Sequence, residues 1–388
     1  MSTKRRKTDG KAPGSRICII RHRDVYELPL RREAEALRDC GHLVDVICLR
    51  ESAGPSMEMV DGVRLLRIPL ERKKGSVLRY LFDYLSFFIL VSFRVTSLHL
   101  RHRYRAIQVN TMPDFLVFST VVCRLLGAKI VLFMKEPSPE LGWTLYRSRL
   151  LKAVLRLVEQ VALKYAHVVI TVTSDLKDTY RQRGATAEKI HVVLNGTDPR
   201  HLLPLAEGAE GPEAGCFTIL CHGAVEERYG HDTILKAVEI VRPSIPNLRV
   251  IILGTGSYAD TLTRLIAELD LEGCVEYRGW VPHEEVAKAL KRTNIGIVAQ
   301  KSSPYSNLVH TNKMYEYMIF GKPVIASRLK SVESYFGPES LRFFEPGDPR
   351  SLADAAAEHC KKYGWENQKK IYTGVYEKLL GSPAAVLK

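Results

Sequence analysis

Short runs of β-branched and aliphatic residues recur along the chain, each followed by a stretch whose apolar positions return every three or four residues. In the first half the runs are Ile17–Ile20, Val44–Cys48, Val63–Arg67, Ile107–Val109, Ile130–Met134, Val168–Val172 and His191–Leu194. In the second half they are Phe217–Cys221, Leu248–Leu253, Val275–Tyr277, Ile295–Val298 and Pro323–Ala326. Most are apolar at consecutive rather than alternate positions, the mark of strands buried on both faces. Leu30–Cys40 and Tyr258–Leu269 are among the intervening stretches with helical spacing. Strands and helices in alternation predict parallel sheets with helices on either side. The alternation stops at "PLAEGAEGPEAG", Pro204–Gly215, and then restarts. The pattern predicts an α/β chain of two doubly wound domains, residues 16–203 and 216–364, joined by a linker over 204–215 and facing each other across a cleft. A helix over 365–388 is expected to return toward the first domain. Sheets of this kind take ligands outside the carboxyl ends of their strands.

One segment breaks the pattern. "SVLRYLFDYLSFFILVSFRVTSLHL", Ser76–Leu100, is apolar round most of a helix, with Arg79, Asp83, Ser86, Arg94 and Ser97 along one narrow stripe. Its uncharged centre, Tyr84–Phe93, falls short of the roughly 20 residues a bilayer span needs. Arg72, Lys73 and Lys74 flank it on one side and Arg101, Arg103 and Arg105 on the other. A buried core helix and a helix lying in an anionic membrane surface both fit.

Composition narrows the class. The 388 residues, 46% hydrophobic and 26% charged, suit a globular protein of two or three domains. The net charge of +14 is concentrated near the start, where residues 1–105 hold 22 Lys and Arg against 12 Asp and Glu. Such a surface suits anionic lipid, nucleic acid or phosphorylated substrates. No aromatic-basic module for nucleic acid accompanies it, so no nucleic-acid partner is expected. Eight cysteines are scattered without a Cys-x-x-Cys pair, and Cys18, Cys48 and Cys221 fall inside apolar runs. Such thiols fit a reduced, cytoplasmic setting and neither a disulfide framework nor a zinc site. "MSTKRRKTDGKAPGS", residues 1–15, is expected to be a disordered basic leader and not a signal peptide.

Two stretches carry candidate chemistry. In "CHGAVEERYGHDTILKAV", Cys221–Val238, a strand meets a turn at Gly223, and Arg228 and Gly230 precede a helix. Amides at a helix start together with a guanidinium suit a pyrophosphate. Strand-glycine-helix is by itself a weak signal, since glycine serves any tight turn. "GTGSYAD", Gly254–Asp260, has neither the dinucleotide spacing nor a following Gly-Lys-Ser/Thr. In "HTNKMYEYMIFGKPVIAS", His310–Ser327, a helical stretch carries one acid, Glu316, before a glycine and a strand. For an isolated glutamate a solvated helix face is the ordinary reading.

The order and spacing of these pieces resemble glycosyltransferase family 4, a retaining, nucleotide-sugar-dependent group with the two-Rossmann GT-B fold. The resemblance runs from Ile17 to Leu380 through "EAEALRDCGHLVDVICLR", "MPDFLVFS", "VVLNGTD", "HGAVEERYG", "RGWVPHEEV" and, most specifically, "NKMYEYMIFGKPVIAS". It is greatest to the bacterial enzymes that build surface polysaccharides on lipid-linked intermediates. The resemblance implies that Glu316 holds the two ribose hydroxyls of a nucleoside-diphosphate sugar and that Arg228 contacts the departing diphosphate. It sets the turn at Gly223 beside that diphosphate, and Gly279 to Val281 against the base. Lys313 either approaches the phosphates or is solvated. It further implies a hexosyltransferase needing no cofactor or metal, with a lipid-linked or glycan acceptor, on the cytoplasmic face of the cell membrane. Glu136 and Glu140, in "KEPSPE" on a first-domain loop, are placed to orient the acceptor or merely to shape the loop.

Four departures from the family pattern bear on activity. Leu308 stands where a glutamate facing the donor sugar is usual, and Ala224 and Tyr229 replace the Arg and Lys flanking the phosphate turn. Asn110 replaces a histidine before "MPD", and Lys135 and Glu136 replace a His-Asp pair. An inactive nucleotide-sugar-binding scaffold, or a nucleotide-sugar 2-epimerase, is therefore the alternative to a transferase.

Overall fold

The computed structural model describes residues 14–23, 28–50, 55–70, 77–245 and 247–363. The expected helix over 365–388, the cations Arg72, Lys73 and Lys74, and all but two residues of the expected leader lie outside these. The chain divides into two compact units after Asp198.

The first unit runs β1 (Arg16–Arg21), α1 (Leu28–Asp39), β2 (Leu43–Leu49), β3 (Met57–Val60), β4 (Val63–Ile68), α2 (Val77–His102) and β5 (Ala106–Asn110). A 3₁₀ turn, Asp114–Thr120, leads into α3 (Val121–Leu125). Then come β6 (Lys129–Met134), α4 (Ser138–Tyr146), α5 (Arg149–Tyr165), β7 (Val168–Thr171), α6 (Ser174–Gln182) and β8 (Ile190–Val192). The strands form one sheet in the order β3-β4-β2-β1-β5-β6-β7-β8, parallel except for β3. Cys18, Ile19 and Ile20 are buried in succession because helices cover both sheet faces, as the continuous apolar runs predict. β3 escaped the sequence pattern because it is a short edge strand whose Met57 and Met59 face solvent.

The second unit runs α7 (Pro199–Leu202), β9 (Phe217–His222), α8 (His231–Val241), β10 (Leu248–Leu253), α9 (Ala259–Glu268), β11 (Val275–Tyr277) and α10 (His283–Arg292). It continues with β12 (Ile295–Val298), α11 (Lys313–Ile319), β13 (Val324–Ser327), α12 (Lys330–Glu333), β14 (Arg342–Phe344) and α13 (Pro349–Tyr363). Its sheet, β11-β10-β9-β12-β13-β14, is parallel throughout. Two doubly wound parallel sheets thus make up the fold, as the alternation predicts. The unit starts earlier than that pattern suggests. A 3₁₀ turn at Pro204–Ala206 packs on α10, and Lys291 Nζ donates to Ala206 O at 3.2 Å, so the start of the expected linker belongs to the second unit.

The apolar segment is α2, and both readings of it capture a part. Phe87, Val91, Val95 and Leu98, at helical spacing, are buried. Phe82, Ile89, Phe93 and Leu100 are exposed. Asp83, expected on a polar stripe, is buried instead. No helix among the described residues is long and apolar enough to cross a membrane.

Candidate functional site

In each sheet the strand order reverses at one place, and there the loops leaving neighbouring strands diverge and open a crevice at the carboxyl ends. In the second sheet that place lies between β9 and β12. β9 ends at His222, with the Gly223 turn directly after it, and the loop after β12 leads to α11. Seven residues are too few to hold a helix by themselves, so packing must fix α11. The Tyr317 ring lies over Gly296 so closely that a Cβ there would overlap it. Its hydroxyl donates to Leu220 O at 2.7 Å, joining α11 to β9 as well as β12. With Tyr317 and Met314 fully buried, Glu316 is carried on the opposite side, in the first turn of the helix. Its Oε2 lies 3.5 Å from Nε2 of His222. Burial first, then Lys313 and His283, pull the His222 imidazole down to about 3, so it is neutral at physiological pH.

The cations converge on the same turn. Gly223 has φ +101°, a conformation suited to glycine, and a side chain there would run into Cε of Lys313. Lys313 Nζ lies 4.3 Å from the Tyr229 ring centroid, and Arg228 Cζ lies 4.8 Å from it. One aromatic ring therefore attracts both charges. Arg228 Nη1 is also 3.8 Å from Glu226 Oε2, while its Nε is buried without a hydrogen-bond partner. Glu226 is fixed by Ser257, whose Oγ donates to Oε2 at 2.5 Å and whose amide donates to Oε1 at 3.3 Å. Burial chiefly, and then the Arg228 charge, bring the Lys313 ammonium down to about 8, against the pull of Cys221 and Glu316. Gly279 joins the turn through backbone: its carbonyl accepts from Gly254 N at 2.6 Å, and Gly254 packs against the Gly223 carbonyl. Val281 follows on the same loop, half-buried, after an exposed Trp280.

The first sheet reverses between β1 and β5, and there too polar side chains gather. Glu33, from α1, accepts from Lys135 Nζ at 2.5 Å through Oε1. Its Oε2 accepts from Asn110 Nδ2 and Gln108 Nε2, both at 2.8 Å. Gln108 Nε2 also donates to Asn110 Oδ1 at 2.8 Å. Glu136 follows Lys135 in the loop before α4, half-buried. Glu140 is not on that loop. It lies in α4, buried, and accepts from Arg183 Nη2 at 2.6 Å, while Arg183 Nη1 reaches Glu159 Oε1 at 2.6 Å. That pairing makes Glu140 part of the unit's framework.

Gly223, Arg228, Lys313 and Glu316 thus meet at one switch point, joined by Gly279, whereas Glu136 belongs to the other unit. Residues 29–196 match the model of the glycosyl transferase 4-like domain, and residues 216–362 match glycosyl transferases group 1. The chain belongs to the GT-B glycosyltransferases. An amylovoran biosynthesis glycosyltransferase of Erwinia amylovora, AmsK, is 26% identical over 173 residues, 44% of this chain and 42% of AmsK. The lipopolysaccharide core biosynthesis glycosyltransferase LpsD of Rhizobium meliloti is 25% identical over 231 residues, 57% of this chain and 64% of LpsD. The matches thus span less than two thirds of these relatives. Among solved structures, sucrose-phosphate synthase from Thermosynechococcus elongatus aligns with TM-score 0.68 at 19% identity, covering 94% of this chain and 99% of that one. Anabaena HepE in complex with UDP-glucose aligns with TM-score 0.62 at 17% identity, covering 92% and 91%.

In this GT-B chain three of the departures have a local logic. Asn110 and Lys135 are partners of a single carboxylate, Glu33, which the sequence motif contains but does not connect to them. Tyr229, which stands where a cation is usual, gathers the two cations that remain. Neither relation was legible from spacing, because each joins side chains on different elements. Leu308 is half-buried in the turns before α11 and brings no charge. If Tyr229 positions Arg228 and Lys313, Tyr229→Ala is expected to weaken nucleoside-diphosphate binding roughly tenfold, the loss of two cation–π contacts. Tyr229→Phe keeps the ring and is expected to stay within about twofold by the same reasoning. Calorimetric titration distinguishes the two; equal losses would mean that the hydroxyl and not the ring matters.

Proposed function

We propose that the chain transfers a hexosyl group from a nucleoside-diphosphate sugar to a hydroxyl of a lipid-linked or glycan acceptor, in the synthesis of a cell-surface polysaccharide. The observation that carries this reading is the meeting of Glu316, Lys313, Arg228 and the Gly223 turn at the switch point of the second sheet. A carboxylate offers two acceptor oxygens matched to a vicinal ribose diol. Arg228 and Lys313 face the diphosphate, whose charge grows as the sugar leaves, and take the part a divalent ion plays at other such centres. The Gly279–Val281 loop takes the base. The reading expects retention of configuration, with the leaving phosphate assisting the incoming hydroxyl on one face of the sugar. A lipid-linked acceptor puts the reaction on the cytoplasmic face of the cell membrane.

Calorimetric titration with UDP, GDP and ADP tests the site, and turnover of a panel of nucleotide sugars tests the reaction. Uptake of none of the three nucleotides would falsify the reading. Leu308, apolar at the place of a sugar-facing glutamate, favours a second reading, a nucleotide-sugar-binding protein without transfer. Binding without turnover on any donor and acceptor pair would select it.

The Lys313 ammonium gives the site a pH signature. Its charged form, which the diphosphate favours, is complete well below about 8 and is lost as pH rises through that value. Nucleoside-diphosphate affinity is therefore expected to be level between pH 6.5 and 7.5 and to fall above pH 8, by at most about tenfold per unit. Lys313→Met is expected to bind more weakly at neutral pH and to lose that slope.

A further inference from the structure

The 3₁₀ turn before α3 packs against both α2 and α5, with Phe88 5.9 Å from Phe115 and Phe118 5.3 Å from Tyr165. α2, α3 and α5 are therefore neighbours in one helical layer of the first unit. Each presents large apolar side chains outward. Phe93 on α2 is 75% exposed, Leu125 on α3 81% and Leu150 on α5 77%. On α5 the exposed residues Leu150, Val154, Leu157 and Val161 recur at helical spacing and make a stripe along its length. A monomer in water rarely carries so much contiguous apolar surface without a use for it.

The charges on these helices are sorted by sign. Arg94, Arg101, Arg124, Arg149, Arg156 and Lys164 are exposed. The carboxylates, Asp83 on α2 and Glu159 on α5, are buried. Among the described side chains of the three helices every exposed charge is positive. Between α2 and α3 lies an open groove of about 480 Å³, lined by Phe93, Leu100, Phe118, Val121 and Val122 with Arg101 at its side.

We infer that this three-helix face lies on an anionic bilayer surface, its arginines among the headgroups and Phe93, Leu125 and the α5 stripe in the acyl boundary. Apolar side chains whose exposed charged neighbours are all cations match a surface that is negative outside and hydrocarbon beneath. Self-association would bring like charges together. The inference extends well beyond α2, the segment the sequence singles out, and is independent of the nucleotide site, since vesicle binding is read without nucleotide or turnover.

The test is co-sedimentation of the full chain with phosphatidylcholine vesicles, with and without one third phosphatidylglycerol. Binding is expected only with the anionic lipid and is expected to fall at high salt. Arg124→Gln with Arg156→Gln should weaken it roughly thirtyfold, two charges' worth near such a surface. Leu125→Trp should show a blue-shifted emission on binding, a readout that does not depend on a loss-of-function variant. Equal binding to neutral vesicles, no binding to either, an emission of the Leu125→Trp variant that vesicles leave unmoved, or a dimer through this face in light scattering would each overturn the proposal. None of these outcomes bears on nucleotide affinity, which calorimetry reads separately.

Discussion

Replacing Glu316 with alanine is expected to weaken nucleoside-diphosphate binding by at least about a hundredfold, and Arg228→Ala to lower kcat by about a hundred- to a thousandfold. The first figure rests on hydrogen bonds from two ribose hydroxyls to a charged acceptor, each worth about 1.5–3 kcal/mol. The second rests on the loss of one stabiliser of developing charge, about 3–4 kcal/mol in the transition state. The two changes should separate in kind. Glu316 holds a part of the donor that does not react, so its loss is expected mainly in Kd and KM. Arg228 faces the group that becomes more negative, so its loss is expected mainly in kcat. A 2′-deoxynucleotide sharpens the test: wild type should bind it far more weakly than the ribonucleotide, whereas Glu316→Ala should barely distinguish them. Such a cycle isolates the carboxylate–hydroxyl pair from any general damage. Equal discrimination in both proteins would move the ribose elsewhere.

How much of this was legible in the sequence follows from which contacts are local. Twelve strands were visible as apolar runs because burial on both faces leaves few polar positions in most of them. β3 and β14 were not, being edge strands of four and three residues with part of their length in solvent. Glu316 was readable as a candidate because the motif around it fixes its place on a short helix. The physical reason that helix holds its place, Tyr317 lying over Gly296 and reaching Leu220 O, joins three elements and leaves no trace in spacing. Glu140 shows the converse. Its position in a Pro-rich stretch left an acceptor-orienting and a loop-shaping role equally open, and only the long-range contact to Arg183 reveals a framework residue.

That contact supports the largest stability effect expected. Arg183 bridges Glu140 and Glu159, and Asp114 lies close enough to feel its charge. Three carboxyls thus share one guanidinium out of water. Burial raises Asp114 from 3.8 to about 7, with Ser138 and Arg183 opposing, and raises Glu159 from 4.5 to about 7, with Arg183 opposing. The folded state holds these protons more tightly than the unfolded chain does. Their contribution is therefore complete below about pH 4 and is lost as pH rises through 7. Buried His222 and His231, pulled down to about 3 and 4, act in the opposite sense in the second unit, so the melting temperature of wild type alone mixes the two. The difference between Asp114→Asn and wild type isolates the first: the variant is expected to gain in relative stability from pH 5 to pH 8. Arg183→Met removes the cation and leaves the acids facing one another, at a cost of about 3–5 kcal/mol at pH 8. Near pH 5, where Asp114 and Glu159 can protonate, the cost should shrink, and adding Glu159→Gln should recover part of it at pH 8. Chemical unfolding at the two pH values reads all three. An Arg183→Met penalty that does not change with pH would mean that lost packing, and not stranded charge, sets it.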